Sequence, residues 1–256
     1  MNKKPLSSLS IFFPCFNDSG TIASLVVLAD QIANELTDDY EVIVVDDGST
    51  DASRDILIRL SKDYPALKLI LHSKNMGYGG ALRSGFLGAD KEWVFYTDGD
   101  NQYDVRELKR LCEHVCPDID VINGYKVERS DSLHRIIIGK TYHYIMKIMF
   151  GLKIRDVDCD FRLIRKSVFS QFQLKYKSGV VCVELIKKME LLGLNFVNVP
   201  VQHYFRMHGK SQFFNFRRLL KVAIDIFRLW GDIFIVSKIR YNKESAPSKT
   251  REISSR

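Results

Sequence analysis

Four short apolar runs in the first hundred residues, alternating with helical patterns, constrain the architecture of this chain more than anything else in it. Residues 10–13, 41–45 and 67–71 and the run Trp93-Val94-Phe95-Tyr96-Thr97 have the length and composition of buried strands. Between the first two, Ile22, Leu25, Val26, Ala29, Ile32, Ala33 and Leu36 recur at helical spacing. A second helical pattern begins with Ile56, Leu57 and Leu60, and a third runs through Gly85 and Leu87. Strand and helix alternating through short loops predict an α/β domain with a mostly parallel, Rossmann-like central sheet flanked by helices. Such sheets bind ligands beyond the carboxyl ends of their strands.

The strand ends carry the chemistry. The fourth strand stops at Asp98-Gly99-Asp100-Asn101-Gln102. Gly99 lets the backbone turn sharply enough to bring both carboxylates to one ion, and the Gln102 amide follows closely. Hard oxygen ligands of this kind suit Mg²⁺ or Mn²⁺ completed by water and phosphate oxygens. A turn that merely caps the next helix is the competing reading. The second strand ends in Asp46-Asp47-Gly48-Ser49-Thr50-Asp51. There Asp46 and Asp47 offer an acceptor to a base or ribose, and Gly48 offers room for its approach. A helix-capping role fits Asp51 better than Asp46. After the third strand, Asn75-Met76-Gly77-Tyr78-Gly79-Gly80 opens a helix. Its glycines either present amides to phosphate or permit a tight turn, and both readings stand.

At 256 residues the chain is long enough for one large α/β domain. Its net charge of +7 and pI near 9.1 call for an anionic partner, whether nucleic acid, acidic lipid or phosphorylated substrate. The five cysteines, Cys15, Cys112, Cys116, Cys159 and Cys182, are scattered and predict reduced thiols in a cytosolic protein. Residues 1–13 lack the apolar stretch of a signal peptide, and no window offers the uncharged run of ~18 residues that a membrane span requires.

These motifs, in this order and at these strand ends, resemble family 2 glycosyltransferases of the GT-A fold, and among them the polyprenyl-phosphate sugar transferases typified by dolichol-phosphate mannose synthase. Pro14-Cys15-Phe16-Asn17 looks like the family's first nucleotide loop, the Asp46 to Asp51 run like its diphosphonucleoside signature, and Asn75 to Ala81 like its glycine-rich turn. The resemblance implies donor contacts at Pro14, Phe16, Asn17, Asp46, Asp47, Gly77, Gly79, Asp98 and Gly99, with Asp46 facing uracil or guanine and the ribose. It also implies that Asp98, Asp100 and Gln102 hold the metal that grips the diphosphate.

The second half supplies the acceptor side. Lys126, Arg129 and Arg135 are spaced to hold a phosphate ahead of an apolar helical segment. In the resembling enzymes this loop binds the lipid phosphate and donor diphosphate, with Lys126 standing where Arg is commoner, a point charge in place of a fork. Residues 154–164 resemble the family's acceptor motif, with Asp160 where many relatives have Gly, and Arg162 is expected to contact the acceptor. A polyprenyl phosphate is already an anion and needs no strong base. Asp156, Asp158 and Asp160 are then expected to orient Arg129, Arg162 or the acceptor; if the acceptor is a hydroxyl, one of them is the base. Residues 199–212 resemble the segment that closes over the diphosphate, and Arg206, Lys210 and Ser211 are expected to contact it, Arg206 stabilising charge as the sugar bond breaks. His203 and His208 have no ligand partners at a familiar spacing, so structural roles are expected.

Two amphipathic segments complete the chain. Residues 133–152 carry Arg135, Gly139, Lys140, His143 and Lys147 along one stripe, with Ile137, Ile138, Ile145, Ile148, Met149 and Leu152 forming an apolar face. Residues 216–236 set Lys221, Asp225, Arg228 and Asp232 opposite Val222, Ile226, Leu229, Trp230, Ile233 and Phe234. Basic stripes beside Trp and Phe suit helices lying in a membrane interface; packing on the sheet or on another subunit is the alternative.

The expected organisation is a GT-A domain over residues 6–212 containing the helix at 133–152, an amphipathic interfacial segment at 213–240, and an unstructured tail at 241–256. The expected activity is inverting, metal-dependent transfer of a sugar from a UDP- or GDP-linked donor to undecaprenyl or dolichyl phosphate, peripheral on the cytoplasmic face of a membrane, with oligomerisation left open. The rivals are a transferase of the same fold acting on a glycan or protein hydroxyl, and a basic nucleic-acid-binding module. No nucleic-acid motif favours the latter, and no nucleic-acid partner is expected.

Overall fold

A computed structural model describes residues 4–129, 133–205 and 216–244. The chain runs β1 (Leu9–Cys15), α1 (Ile22–Leu36), β2 (Tyr40–Asp46), α2 (Ser53–Leu60), β3 (Leu67–Leu71), α3 (Tyr78–Gly88) and β4 (Trp93–Thr97). After a 3₁₀ turn come α4 (Leu108–Cys112), β5 (Val121–Arg129), α5 (Leu133–Phe150), β6 (Phe161–Arg165), a second 3₁₀ turn, α6 (Val181–Leu191), β7 (Phe196–His203) and α7 (Phe216–Glu244).

The strands form one seven-stranded sheet in the order β3-β2-β1-β4-β6-β5-β7. β1, β2, β3 and β4 are mutually parallel, β6 enters antiparallel between β4 and β5, and β5 and β7 pair parallel. Because β2 lies on one side of β1 and β4 on the other, the loops after β1, β2 and β4 open into one crevice, where doubly wound sheets bind ligands.

Every residue of β1 and of β4 is buried, as the apolar runs predict. Their side chains alternate between two cores. Ile11, Phe13, Trp93 and Phe95 face α1, α2 and α4, whereas Phe12, Val94 and Tyr96 face α3, α5, α6 and α7. On the second side Gly85 of α3 lies directly over Phe12, whose ring is 2.4 Å from where a Cβ would sit. A glycine inside a helix is thus required for helix and sheet to touch.

α5 and α7 each bury one face and leave a second apolar face in solvent. On α5, Met146 and Phe150 are buried while Tyr144, Ile145 and Ile148 are exposed, Ile148 to 82%. On α7, Leu229 is buried to 1% exposure with Val222, Ile226 and Ile233 packed beside it, while Leu220, Ile224, Phe227, Trp230 and Phe234 face outward. Trp230 and Phe234 stack at 5.3 Å. The helix continues to Glu244, into the stretch expected to be unstructured; residues 245–256 of that stretch lie outside the described residues. Among the described residues, no helix is long and apolar enough to cross a membrane.

Candidate active site

Asp98, Gly99 and Asp100 follow directly on β4 and turn back against the end of β1. A Cβ on Gly99 would lie 2.6 Å from the Pro14 carbonyl oxygen, so only glycine permits this approach. The Thr21 hydroxyl ties the turn down by donating to the Gly99 carbonyl at 2.7 Å. Asp100 and Gln102 are buried, and the Gln102 amide N–H donates to Asp100 Oδ1 at 3.1 Å. Gln102 is gripped by Tyr204, the residue after β7: its side-chain amide donates to the Tyr204 carbonyl at 3.1 Å, and Tyr204 N donates to the Gln102 carbonyl at 2.8 Å. Two carboxylates and an amide held on one rigid turn fit a hard divalent cation.

The glycine-rich turn is organised by Asp47. Its carboxylate accepts from Met76 N at 2.7 Å, Gly77 N at 2.9 Å and His72 Nδ1 at 2.7 Å, and His72 Nε2 in turn meets the Ser84 hydroxyl. Gly77 has φ of +82°, the left-handed region that favours glycine. The Gly79 amide donates to the Lys177 carbonyl at 3.0 Å, and a Cβ on Gly79 would lie 2.0 Å from the Tyr176 carbonyl oxygen. Of the two roles left open for these glycines, this geometry serves the tight turn, since the amides of Gly77 and Gly79 are bonded within the protein. Tyr78, not singled out in the sequence, links the turn to the metal motif by donating to Asp98 Oδ1 at 2.6 Å. Burial, reinforced by the charges of Asp160 and Asp98, pushes the Tyr78 hydroxyl well above its ordinary pKa and keeps it a donor.

Asp46 is fully buried at the end of β2. Arg54 Nε and a terminal nitrogen of Arg54 meet one of its oxygens at 2.6 and 2.5 Å, and Ser49 N donates to the other at 3.2 Å. Arg54 also donates to the His72 carbonyl at 2.6 Å, tying α2 to the ends of β2 and β3. Asn17, with φ of +60°, joins the first two strand-end loops: its Oδ1 accepts from Thr50 N at 2.8 Å, and its own N donates to the Ser49 hydroxyl. Phe16 N bonds the Asp18 carboxylate in the same loop.

On the acceptor side, Lys126 Nζ donates to the Asp158 carbonyl at 2.6 Å, and Asp156 accepts from Asp158 N at 3.0 Å. His143 of α5, placed in a basic stripe by sequence alone, instead joins these carboxylates: one ligand atom each from His143, Asp156 and Asp158 lie within 4.8 Å of one another. The expectation that Arg162 contacts the acceptor is corrected. Its guanidinium is 0% exposed and donates to Asn123 at 2.7 Å, Asp160 at 2.6 Å, the Val157 carbonyl at 2.7 Å and the Tyr96 hydroxyl. Arg162 pairs with Tyr96 across β4 and β6, so its side chain enters the sheet's interior, where Asp160 neutralises it. His203 is buried edge-on against Tyr103, in keeping with a structural role. The side chains of Arg129 and Arg135, and Arg206, His208, Lys210 and Ser211 entirely, lie outside the described residues.

Sheet order and strand-end site together define a GT-A fold. Solved structures share it: glucosyl-3-phosphoglycerate synthase from Mycobacterium tuberculosis, in complex with Mn²⁺, UDP and glucosyl-3-phosphoglycerate, superposes with a TM-score of 0.65 over 89% of this chain and 80% of that one at 16% identity. A mannosyltransferase from Pyrobaculum calidifontis in complex with GDP-mannose and Mn²⁺ superposes with a TM-score of 0.60 over 81% of this chain and 60% of that one, also at 16% identity. The family model for glycosyl transferase family 2 matches residues 10–172, and the chain belongs to that family. Curated relatives include the undecaprenyl-phosphate 4-deoxy-4-formamido-L-arabinose transferases of Pseudomonas aeruginosa, 26% identical over 88% of this chain, and of Aeromonas hydrophila, 27% identical over 83%. The chain spans 66% and 65% of the length of these two relatives.

Proposed function

We propose that this chain transfers a sugar from a nucleoside diphosphate, UDP or GDP, to a polyprenyl phosphate at the cytoplasmic face of a membrane. One observation carries the reading above the others: the Asp98–Asp100 turn and the Asp47-anchored glycine turn meet through the Tyr78–Asp98 bond at the strand ends, on the molecule whose α5 and α7 carry exposed apolar faces. The names of the relatives, which specify undecaprenyl phosphate, and of the structural neighbours, solved with UDP or GDP-mannose and Mn²⁺, support the same substrate classes.

In this reading a lipid phosphate oxygen attacks the anomeric carbon as that carbon's bond to the diphosphate oxygen breaks, so the nucleoside diphosphate leaves and the configuration inverts. Asp98, Asp100 and Gln102 would hold Mg²⁺ or Mn²⁺, which when bound neutralises charge on the departing diphosphate. Tyr78 fixes the rotamer of Asp98. Pro14, Phe16, Asn17, Asp46 and Asp47 frame the nucleotide, with Arg54 sharing Asp46 with the base or ribose. Lys126, Arg129 and Arg135 hold the acceptor phosphate, and Arg206, Lys210 and Ser211 cover the diphosphate. Asp156 and Asp158 position Lys126, since an anionic acceptor has no proton to lose. The protein lies on the membrane as a peripheral enzyme, its attraction to anionic lipid reinforced by a net charge of +7.

A second reading, transfer to a hydroxyl, draws on the closeness of His143 to Asp156 and Asp158, a set able to supply a base. Incubation of protein and membranes with radiolabelled nucleotide sugars tests the first: label should enter an organic-soluble lipid and require a divalent cation. Single-turnover rates of Arg129→Ala, Arg206→Ala, Asp156→Ala and Asp158→Ala separate the two. Loss at the arginines exceeding that at either aspartate is expected for a phosphate acceptor. One dead aspartate variant beside an active Arg129→Ala would leave the hydroxyl acceptor standing.

A further inference from the structure

The segment 175–178, which precedes α6, is held from two sides and presses on the glycine-rich turn. From α6, the fully buried Glu184 accepts from Lys175 N at 2.8 Å and Tyr176 N at 3.0 Å. From α7, Asp225 accepts from the Ser178 hydroxyl at 2.8 Å, and Asp232 accepts from Lys175 Nζ and the Tyr176 hydroxyl, each at 2.8 Å. The carbonyls of the same segment receive the turn: Lys177 O takes the Gly79 amide at 3.0 Å, and Tyr176 O lies so close that no residue larger than glycine fits at Gly79. Tyr78, between Gly77 and Gly79, then donates to Asp98. Hydrogen bonds linked by short stretches of backbone therefore join α7 to the first carboxylate of the metal motif.

The two α7 carboxylates differ: Asp232 is partly exposed and paired with Lys175 at 2.8 Å, whereas Asp225 is buried. Asp225 is only 7% exposed, with a neutral hydroxyl as its close partner and Arg228 no nearer than 3.9 Å. A buried carboxylate so weakly compensated loses stability relative to an apolar residue of similar size. Beside these bonds α7 and the segment border an open groove lined by Lys175, Lys177, Lys221 and Arg228, while Leu229, Val222, Ile226 and Ile233 pack in the same apolar cluster as Tyr176.

We propose that Asp225 and Asp232 are positioning residues for the donor site, acting through segment 175–178 on the glycine-rich turn and through Tyr78 on Asp98. The inference rests on the donor reading given above. It adds that the helix whose outward face is apolar also sets the geometry of the glycine-rich turn that bonds the metal motif through Tyr78, so seating α7 and ordering the donor site are one event.

The test compares Asp225→Ala/Asp232→Ala with Asp225→Asn/Asp232→Asn, whose amide oxygens still accept from Ser178 and Tyr176. In the alanine pair, amide hydrogen exchange at residues 76–80 should accelerate about tenfold or more while β1 and β4 keep their protection. The Kd for UDP or GDP with Mn²⁺ should rise about tenfold, and the asparagine pair should recover most of both effects. Unchanged exchange at 76–80, acceleration spread evenly over the sheet, unchanged nucleotide affinity, or an asparagine pair as defective as the alanine pair would each overturn the proposal. A wild-type chain that bound neither nucleotide would instead overturn the donor reading, and the exchange and rescue pattern would still decide whether α7 orders the turn.

Discussion

Asp98 and Asp100 sit on a turn outside the apolar cores, so replacing their charge removes ligand capacity and leaves packing intact. Asp98→Asn and Asp100→Asn should each lower transfer about 100-fold or more while Tm stays within about 2 °C of wild type. Thermal melts beside activity assays check this, and a capping turn would give the reverse pattern. The cysteines offer a test of burial. Burial raises the thiols of Cys15, Cys112 and Cys159 to about 12, with Asp18 and Asp46 adding to the effect at Cys15, and Cys182 is pushed well above its ordinary value by burial and by Asp160. Cys116 is exposed. At pH 8 a thiol of pKa near 12 is thiolate in about one molecule in ten thousand. Iodoacetamide on the native protein should therefore label Cys116 alone, read as a single adduct by mass spectrometry.

α5 and α7 are amphipathic, but the face that packs is not simply the face opposite the charges. In α7, Asp225 and Asp232, grouped by sequence with Lys221 and Arg228, turn inward to Ser178, Lys175 and Tyr176. The outward face is largely apolar instead. If these faces meet lipid, the protein should pellet with anionic vesicles at low salt and be partly released by high salt. Replacing Tyr144, Ile145 and Ile148 with Ser, or Phe227 and Phe234 with Ser, should free it with little change in Tm, because these side chains are exposed. Leu229→Ala, on the packed face, should cost about 2–5 kcal/mol in urea unfolding. Vesicle binding that survives both serine sets would rule these faces out.

For the molecule as a whole, the shifted groups define where stability depends on pH. In the unfolded chain the thiols of Cys15, Cys112 and Cys159 ionise near 9.0, and in the fold only near 12, so the native state holds extra protons in between. Stability from this source is complete below about pH 9 and is lost as pH rises toward 12. Asp232 is held below its ordinary 3.8, chiefly by its bond from Lys175, and Asp104 is held below it because the Arg106 bonds outweigh burial. Their contribution is present above about pH 3.8 and disappears as pH falls through the depressed values. The urea midpoint should thus decline as pH rises above about 9 and as it falls below about 3.8; a midpoint that held level from about pH 9 to 11 would contradict the thiol assignments. The alternation of strands and helices, the burial of β1 and β4, and the loops that converge on the crevice were all legible in the sequence, because periodicity and turn chemistry are local properties of the chain. What only the tertiary structure decided are pairings between distant segments: Arg162 drawn inward by Asp160 and Tyr96, Asp47 gripping the glycine turn, His143 meeting Asp156 and Asp158, and α7 reaching segment 175–178. A side chain's polarity states that it needs a partner, and the packing of the sheet with its helices determines which partner lies within reach.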